Sequence, residues 1–163
     1  MRISARWLGR LMNLWPPFLG AGIRVREITP DWRRAVVALH HRRWTSNYVG
    51  THFGGSLFAM TDPFYMLLLL HSLGSRYWVW DRSARIDYRR PGRGTVTARF
   101  ELDEARLEAI RAATAGGDKH LERFEVTIRD GNGEVVAVVE RTLYIRLKPD
   151  HRPRGGDGWL SRC

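Results

Sequence analysis

The chain has 163 residues, of which 44% are hydrophobic and 27% charged, the make-up of an ordinary globular domain. A single cysteine, Cys163, excludes an intrachain disulfide, a four-cysteine zinc site and a CxxC redox pair, and points to a reducing, cytoplasmic setting. The 27 basic residues outnumber the 17 acidic ones to give +10, and 25 of the 27 are Arg. That excess suits an anionic partner, and it also suits a GC-rich coding sequence.

Residues 2–15, RISARWLGRLMNLW, have helical period. Trp7, Leu8, Leu11, Leu14 and Trp15 form one apolar stripe, Arg2, Arg6 and Arg10 lie on another face, and Pro16-Pro17 is expected to stop the helix. Such a helix packs on its own domain or on a partner subunit. Peripheral contact with a membrane surface is the lesser expectation. Strands are predicted over 23–28 and 33–41, the second with Ala35, Val37 and Leu39 on one face. His40 and His41 would point to opposite sides of a strand, and no metal site is expected.

A polar loop over 42–53 leads into the least polar stretch, residues 54–73. It is long enough to span a bilayer as a helix, but Asp62, Pro63 and His71 interrupt it and strands surround it. The buried centre of a soluble fold is the simpler reading. Strands follow over 77–89 and 95–102, then a short helix over 103–115 capped by Asp103. Two more strands, 120–130 and 134–147, flank a DGNG turn. On the first of these four, Trp78, Trp80, Ala84, Ile86 and Tyr88 share one face, and Val79, Asp81, Ser83, Arg85 and Asp87 the other. The order predicts an α+β hotdog fold: a curved antiparallel sheet around a long central helix, with an extra N-terminal helix. The domain reading is residues 1–20 for that helix, 21–147 for the hotdog domain and 148–163 for a flexible tail.

Chemistry concentrates in 47–63. Gly54 and Gly55 open the helix without side chains, so a ligand can approach N–H groups that have no intrahelical partner. Asp62 is the only acid between residues 32 and 80, and on an apolar helix it would be a costly buried carboxylate. Pro63 removes a helical donor there, which predicts a kink. Two readings of Asp62 stand side by side: a functional carboxylate, or an N-cap for a helix starting at Pro63. Gly54-Gly55 could equally be a tight turn, Asn47 a loop residue and His52 a surface histidine.

This segment resembles the signature of the hotdog acyl-CoA thioesterases of the phenylacetate-pathway type, matched at Asn47, Gly50, Gly54, Gly55 and Asp62. The closer likeness is to an uncharacterised thioesterase-like branch, which shares the stretches 50–59 and 62–67. The resemblance covers residues 20–147 and implies hydrolysis of an acyl-CoA or acyl-carrier thioester with no cofactor. Gly55 N–H would polarise the carbonyl, Asp62 would activate water and Asn47 would position substrate or water. His52, Phe53, Gly54, Phe58, Tyr65 and Met66 would line the substrate site. Phe53 stands where that family has His, with His52 one residue earlier, so the alternative is a non-catalytic acyl-binding protein. Gly55 and Asp62 are about 10 Å apart along a helix, too far to serve one thioester carbon. A homodimer with shared sites is therefore expected, which dimers of dimers could extend. Arg82, Arg85, Arg89, Arg90, Arg93, Arg42 and Arg43 are candidates for substrate phosphates. No nucleic-acid motif is present, and no specific nucleic-acid partner is expected.

Overall fold

The computed structural model describes residues 3–153; of the tail expected over 148–163, residues 154–163 lie outside them. Six strands form one antiparallel sheet in the order β1-β2-β4-β5-β6-β3. They are β1 (Ile23–Ile28), β2 (Arg34–His40), β3 (Tyr77–Tyr88), β4 (Thr95–Glu101), β5 (His120–Arg129) and β6 (Val135–Leu147). All lie within a residue or so of the spans that alternation predicts. Ala35, Val37, Leu39, Val96, Ala98, Phe100, Phe124, Val126 and Ile128 all point into the core. At the β5–β6 hairpin, Asp130 Oδ1 accepts from the N–H groups of Asn132 and Glu134, and Gly133 takes φ 82°.

The central helix is two helices, α3 (Gly54–Ala59) and α4 (Phe64–Leu73), separated by a turn around the cis Asp62–Pro63 peptide. Proline has no N–H for the Ala59 carbonyl, which accepts instead from Asp62 N at 3.1 Å. The 20-residue stretch is apolar enough by composition to cross a membrane. Met60, Phe64, Tyr65, Leu68 and Leu69 are nevertheless buried inside the sheet. Phe64 and Tyr65 meet Phe100 and Phe124 in an aromatic cluster, with the Tyr65 and Phe124 rings 4.1 Å apart.

Two expectations are corrected. The N-terminal helix is α1 (Ala5–Met12), capped by Ser4, and the prolines open a second helix, α2 (Pro16–Ala21), rather than merely stopping the first. Proline at a first turn forfeits no bond and supplies a helical φ. α1 also buries a different face from the expected stripe: Ala5, Gly9 and Met12 are buried, while Trp7, Leu11 and Leu14 are exposed. Gly9 packs against β1, where a Cβ would be in contact with Val25 Cγ1 at 3.4 Å.

The second correction concerns β3. Strict alternation fails at a bulge between Asp81 and Ser83. Before it, Tyr77, Val79 and Asp81 pair with inward residues of β6; after it, Ala84, Ile86 and Tyr88 do. The extra residue reverses which parity faces inward. Trp78 and Trp80 are therefore on the outer face, where Trp80 stacks on Tyr144 at 4.1 Å. The β4–β5 connection holds α5 (Glu104–Thr114), which is capped as expected by Asp103, accepting from Arg106 N.

Candidate functional site

The loop before α3 is held by its own side chains. Asn47 Nδ2 donates to Thr51 Oγ1 at 2.8 Å and to the His52 carbonyl at 3.3 Å, and its Oδ1 accepts from Thr51 N at 2.9 Å. The carboxamide is thus occupied in tying the loop, although it borders a cleft of about 430 Å³. His52, Gly54, Leu57, Tyr88 and Arg90 also line that cleft. Tyr88 Oη donates to the Gly54 carbonyl at 3.0 Å, joining the end of β3 to the start of α3. Neither the Gly54 nor the Gly55 N–H has an acceptor among the described residues. A Cβ on Gly55 would sit 2.4 Å from the Phe53 ring, so a side chain there would have to displace that ring. Phe53 is more than half exposed and covers Gly55.

His52 is 3% exposed and not a surface histidine. Its Nε2 lies 2.8 Å from the Gly94 carbonyl and must donate to it. Nδ1 is then an acceptor, buried and without a partner among the described residues. Burial, above all, holds the imidazole below its ordinary value of 6.5; the Gly94 bond opposes this, and nearby His41 and His40 add to it. At acid pH the unfolded chain binds a proton that the folded chain refuses. Stability should therefore fall as pH drops below about 6.5, and His52→Gln should flatten that part of a Tm-against-pH profile.

Asp62 lies elsewhere, and it is not buried. Its side chain is 51% exposed, and Oδ1 accepts from Arg141 Nη1 at 3.0 Å. The same Nη1 is 3.0 Å from Asp81 Oδ1. Thr61 Oγ1 receives Arg141 Nε at 3.3 Å and Nη2 at 3.2 Å, and the guanidinium lies over Phe58. Asp62 does not cap α4, whose N-cap, Pro63, makes no side-chain bond. Asp62 Oδ2 has no hydrogen bond among the described residues. One buried cation faces two carboxylates, so one negative charge is left over at this corner.

Arg141 and Asp81 were not among the residues singled out from sequence. Arg141 was detectable: Ala137, Val139, Leu143 and Ile145 mark the inward parity of β6, and Arg141 falls within that series. Asp81 was not, because the bulge that turns it inward leaves no clear mark. The other expected site residues are scattered. Phe58 is half-buried beside Arg141, whereas Tyr65 is a core residue whose Oη donates to the Glu125 carbonyl at 3.2 Å. Met66 packs against the same core. Of the arginine candidates, Arg90 reaches the cleft but is paired with Asp130 and Glu134, and Arg89 pairs with Asp87. Among the described residues no cluster of three His, Cys, Asp or Glu could hold a metal ion.

Residues 5–145 match the family model described as a domain of unknown function, DUF4442. The chain belongs to the DUF4442 family. A comparison with curated proteins returns no match. Among solved structures, this DUF4442 protein is similar to a Pseudomonas aeruginosa protein of unknown function described as a "Probable Thioesterase". The TM-score is 0.77 at 22% identity, over 91% of this chain and 99% of the other. It is similar also to a Haemophilus influenzae thioesterase, with TM-score 0.65 and 16% identity over 94% and 97% of the two chains. The phenylacetic acid degradation protein PaaI of Thermus thermophilus aligns with TM-score 0.57 and 27% identity, over 82% and 100%. The fold of this DUF4442 chain is thus the hotdog fold of thioesterases, with its central helix interrupted at Asp62.

Proposed function

We propose that this DUF4442 protein is a homodimeric thioesterase that hydrolyses an acyl-CoA or acyl-carrier thioester. One observation carries the reading. β3 is an edge strand, hydrogen-bonded to β6 alone, and it bears the two halves of a site at two points along its length. Asp81, next to Asp62 and Arg141, is at one; Tyr88, bonded to Gly54, is at the other. They are seven residues apart, about 23 Å on an extended strand. Antiparallel pairing of β3 with its own copy, Arg85 opposite Arg85 and Arg82 left out at the bulge of each chain, sets Asp81 of one protomer opposite Tyr88 of the next. The carboxylate of one chain then faces the free N–H groups of Gly54 and Gly55 of the other. A long unpaired edge also needs a cover.

In that arrangement the thioester oxygen takes the α3 N–H groups, which stabilise the negative charge that develops on it. Arg141 grips Asp62 by one oxygen and leaves Oδ2 to accept a proton from the attacking water. Exposure of Phe53, where the resemblance has histidine, favours a second reading as an acyl-binding protein without turnover. Incubation with a panel of acyl-CoA thioesters, read by free thiol and by sedimentation, separates the two. The hydrolase reading predicts thiol release by a dimer. A dimer that binds without release supports the second reading, and a monomer at micromolar concentration overturns the shared site.

A further inference from the structure

The exposed face of α1 and α2 has no role in the reading above. Trp7, Leu11 and Leu14 are 58, 50 and 67% exposed, and Trp15 and Leu19 are 47 and 43% exposed. Beside them the Arg42–Thr45 turn presents Trp44, 72% exposed. The turn and α2 are one surface: His40 N donates to the Gly22 carbonyl at 3.0 Å, and a Cβ on Gly22 would lie 3.6 Å from Thr45 Cγ2. So much exposed tryptophan and leucine in one region marks an interaction surface.

Cations border the same surface. Arg6 and Arg10 project from α1. A cleft of about 450 Å³ between the end of α1 and the β1–β2 pair is lined by Arg24, Arg26, Arg42, His40 and His41. Asn13 fastens the cleft wall: its side chain bonds Val25 N at 2.7 Å and Val25 O at 3.0 Å, and its carbonyl accepts from Arg24 Nη1. Leu14 and Trp15 follow directly. None of Arg6, Arg10, Arg24, Arg26 and Arg42 is in an ion pair among the described residues, and Glu27 on β1 is taken by Arg34. Burial, and then Arg26, Arg42 and Arg24, keep His40 below its ordinary value, as an uncompensated positive field would.

We infer that this face docks on an anionic phospholipid bilayer, with the tryptophans and leucines entering the interface and the basic cleft taking headgroup phosphates. Tryptophan and arginine are the side chains that favour that boundary. A second copy of the chain is the poorer occupant, because a twofold contact would bring the same unpaired arginines against one another. The inference is independent of the thioesterase reading.

Flotation of the full chain with phosphatidylcholine vesicles, and with vesicles containing phosphatidylglycerol, tests it. Binding to the anionic vesicles alone, weakened by salt, is expected. Trp7→Ser with Leu14→Ser, and separately Arg26→Glu with Arg42→Glu, should each reduce it about tenfold or more. Arg99→Glu with Arg123→Glu, an equal charge change on exposed positions of β4 and β5, should reduce it far less. Circular dichroism would confirm that each variant is folded. The inference is overturned by absence of binding, by equal binding to neutral vesicles, or by equal effects of the two charge reversals. Inorganic phosphate bound in the cleft without vesicle binding also overturns it, as does a change of oligomeric state in the Trp7/Leu14 variant in its place.

Discussion

Asp62→Asn should lower thioester turnover by about 10²–10⁴-fold, the ordinary contribution of a positioned general base. The fold should survive it. Asparagine keeps the shape and an acceptor for Arg141 Nη1, and the carboxylate is half exposed, so the lost ion pair is worth about 1 kcal/mol or less. Thiol release from an acyl-CoA measures the rate, and a thermal melt measures the fold. Asp81→Asn, which removes the other carboxylate on Arg141, should cost less turnover, because Asp62, 51% exposed against 23% for Asp81, is the carboxylate more open to water. Unchanged turnover in Asp62→Asn would remove this residue from the mechanism.

Arg141→Met should have the largest effect on stability. The side chain is 5% exposed and satisfies Thr61, Asp62 and Asp81 together. Without it, Thr61 Oγ1 keeps only its bond to the Phe58 carbonyl, and two carboxylates lose their common counter-ion. Removing one partner of a fully buried pair costs about 3–5 kcal/mol. Asp62 and Asp81 both reach solvent, so about 2–4 kcal/mol is the better expectation. That lowers Tm by roughly 4–16 °C in a chain of this size. Arg141→Lys keeps the charge but not the fork, and should fall between. Turnover should drop as well, since Asp62 would lose the group that orients it. A Tm within a degree of wild type would show that the cluster does not hold the helix break in place.

The two halves of the candidate site were unequally legible. Gly54 and Gly55 announce a helix start where backbone can be approached, and the α3 N-terminus is where they indicate. Asp62 is conspicuous as a lone acid in an apolar run, and Pro63 marks the break beside it. Neither signal tells where the carboxylate points. Its apolar neighbours suggest burial, yet the carboxylate is half exposed, with one oxygen held by the inward-facing Arg141. Asn47 matches a substrate-positioning residue by resemblance, but its amide is spent on Thr51 and His52. His52 reads as a loop histidine and is sealed beneath Gly92 and Gly94, because the chain returns there 40 residues later.

Local order follows from the sequence itself. Alternation marks the strands, Asp103 caps a helix, Asp130 with Gly133 turns a hairpin and Pro63 breaks the central helix, since each is a preference of a few adjacent residues. The partners of those elements come from packing. Which parity of β3 faces inward, which cation meets Asp62, and whether the α1 stripe is covered all depend on contacts between residues far apart in the chain. The bulge beside Arg82 shows this most plainly: one extra residue, placed by pairing with β6, carries Asp81 to Arg141 and Tyr88 to Gly54.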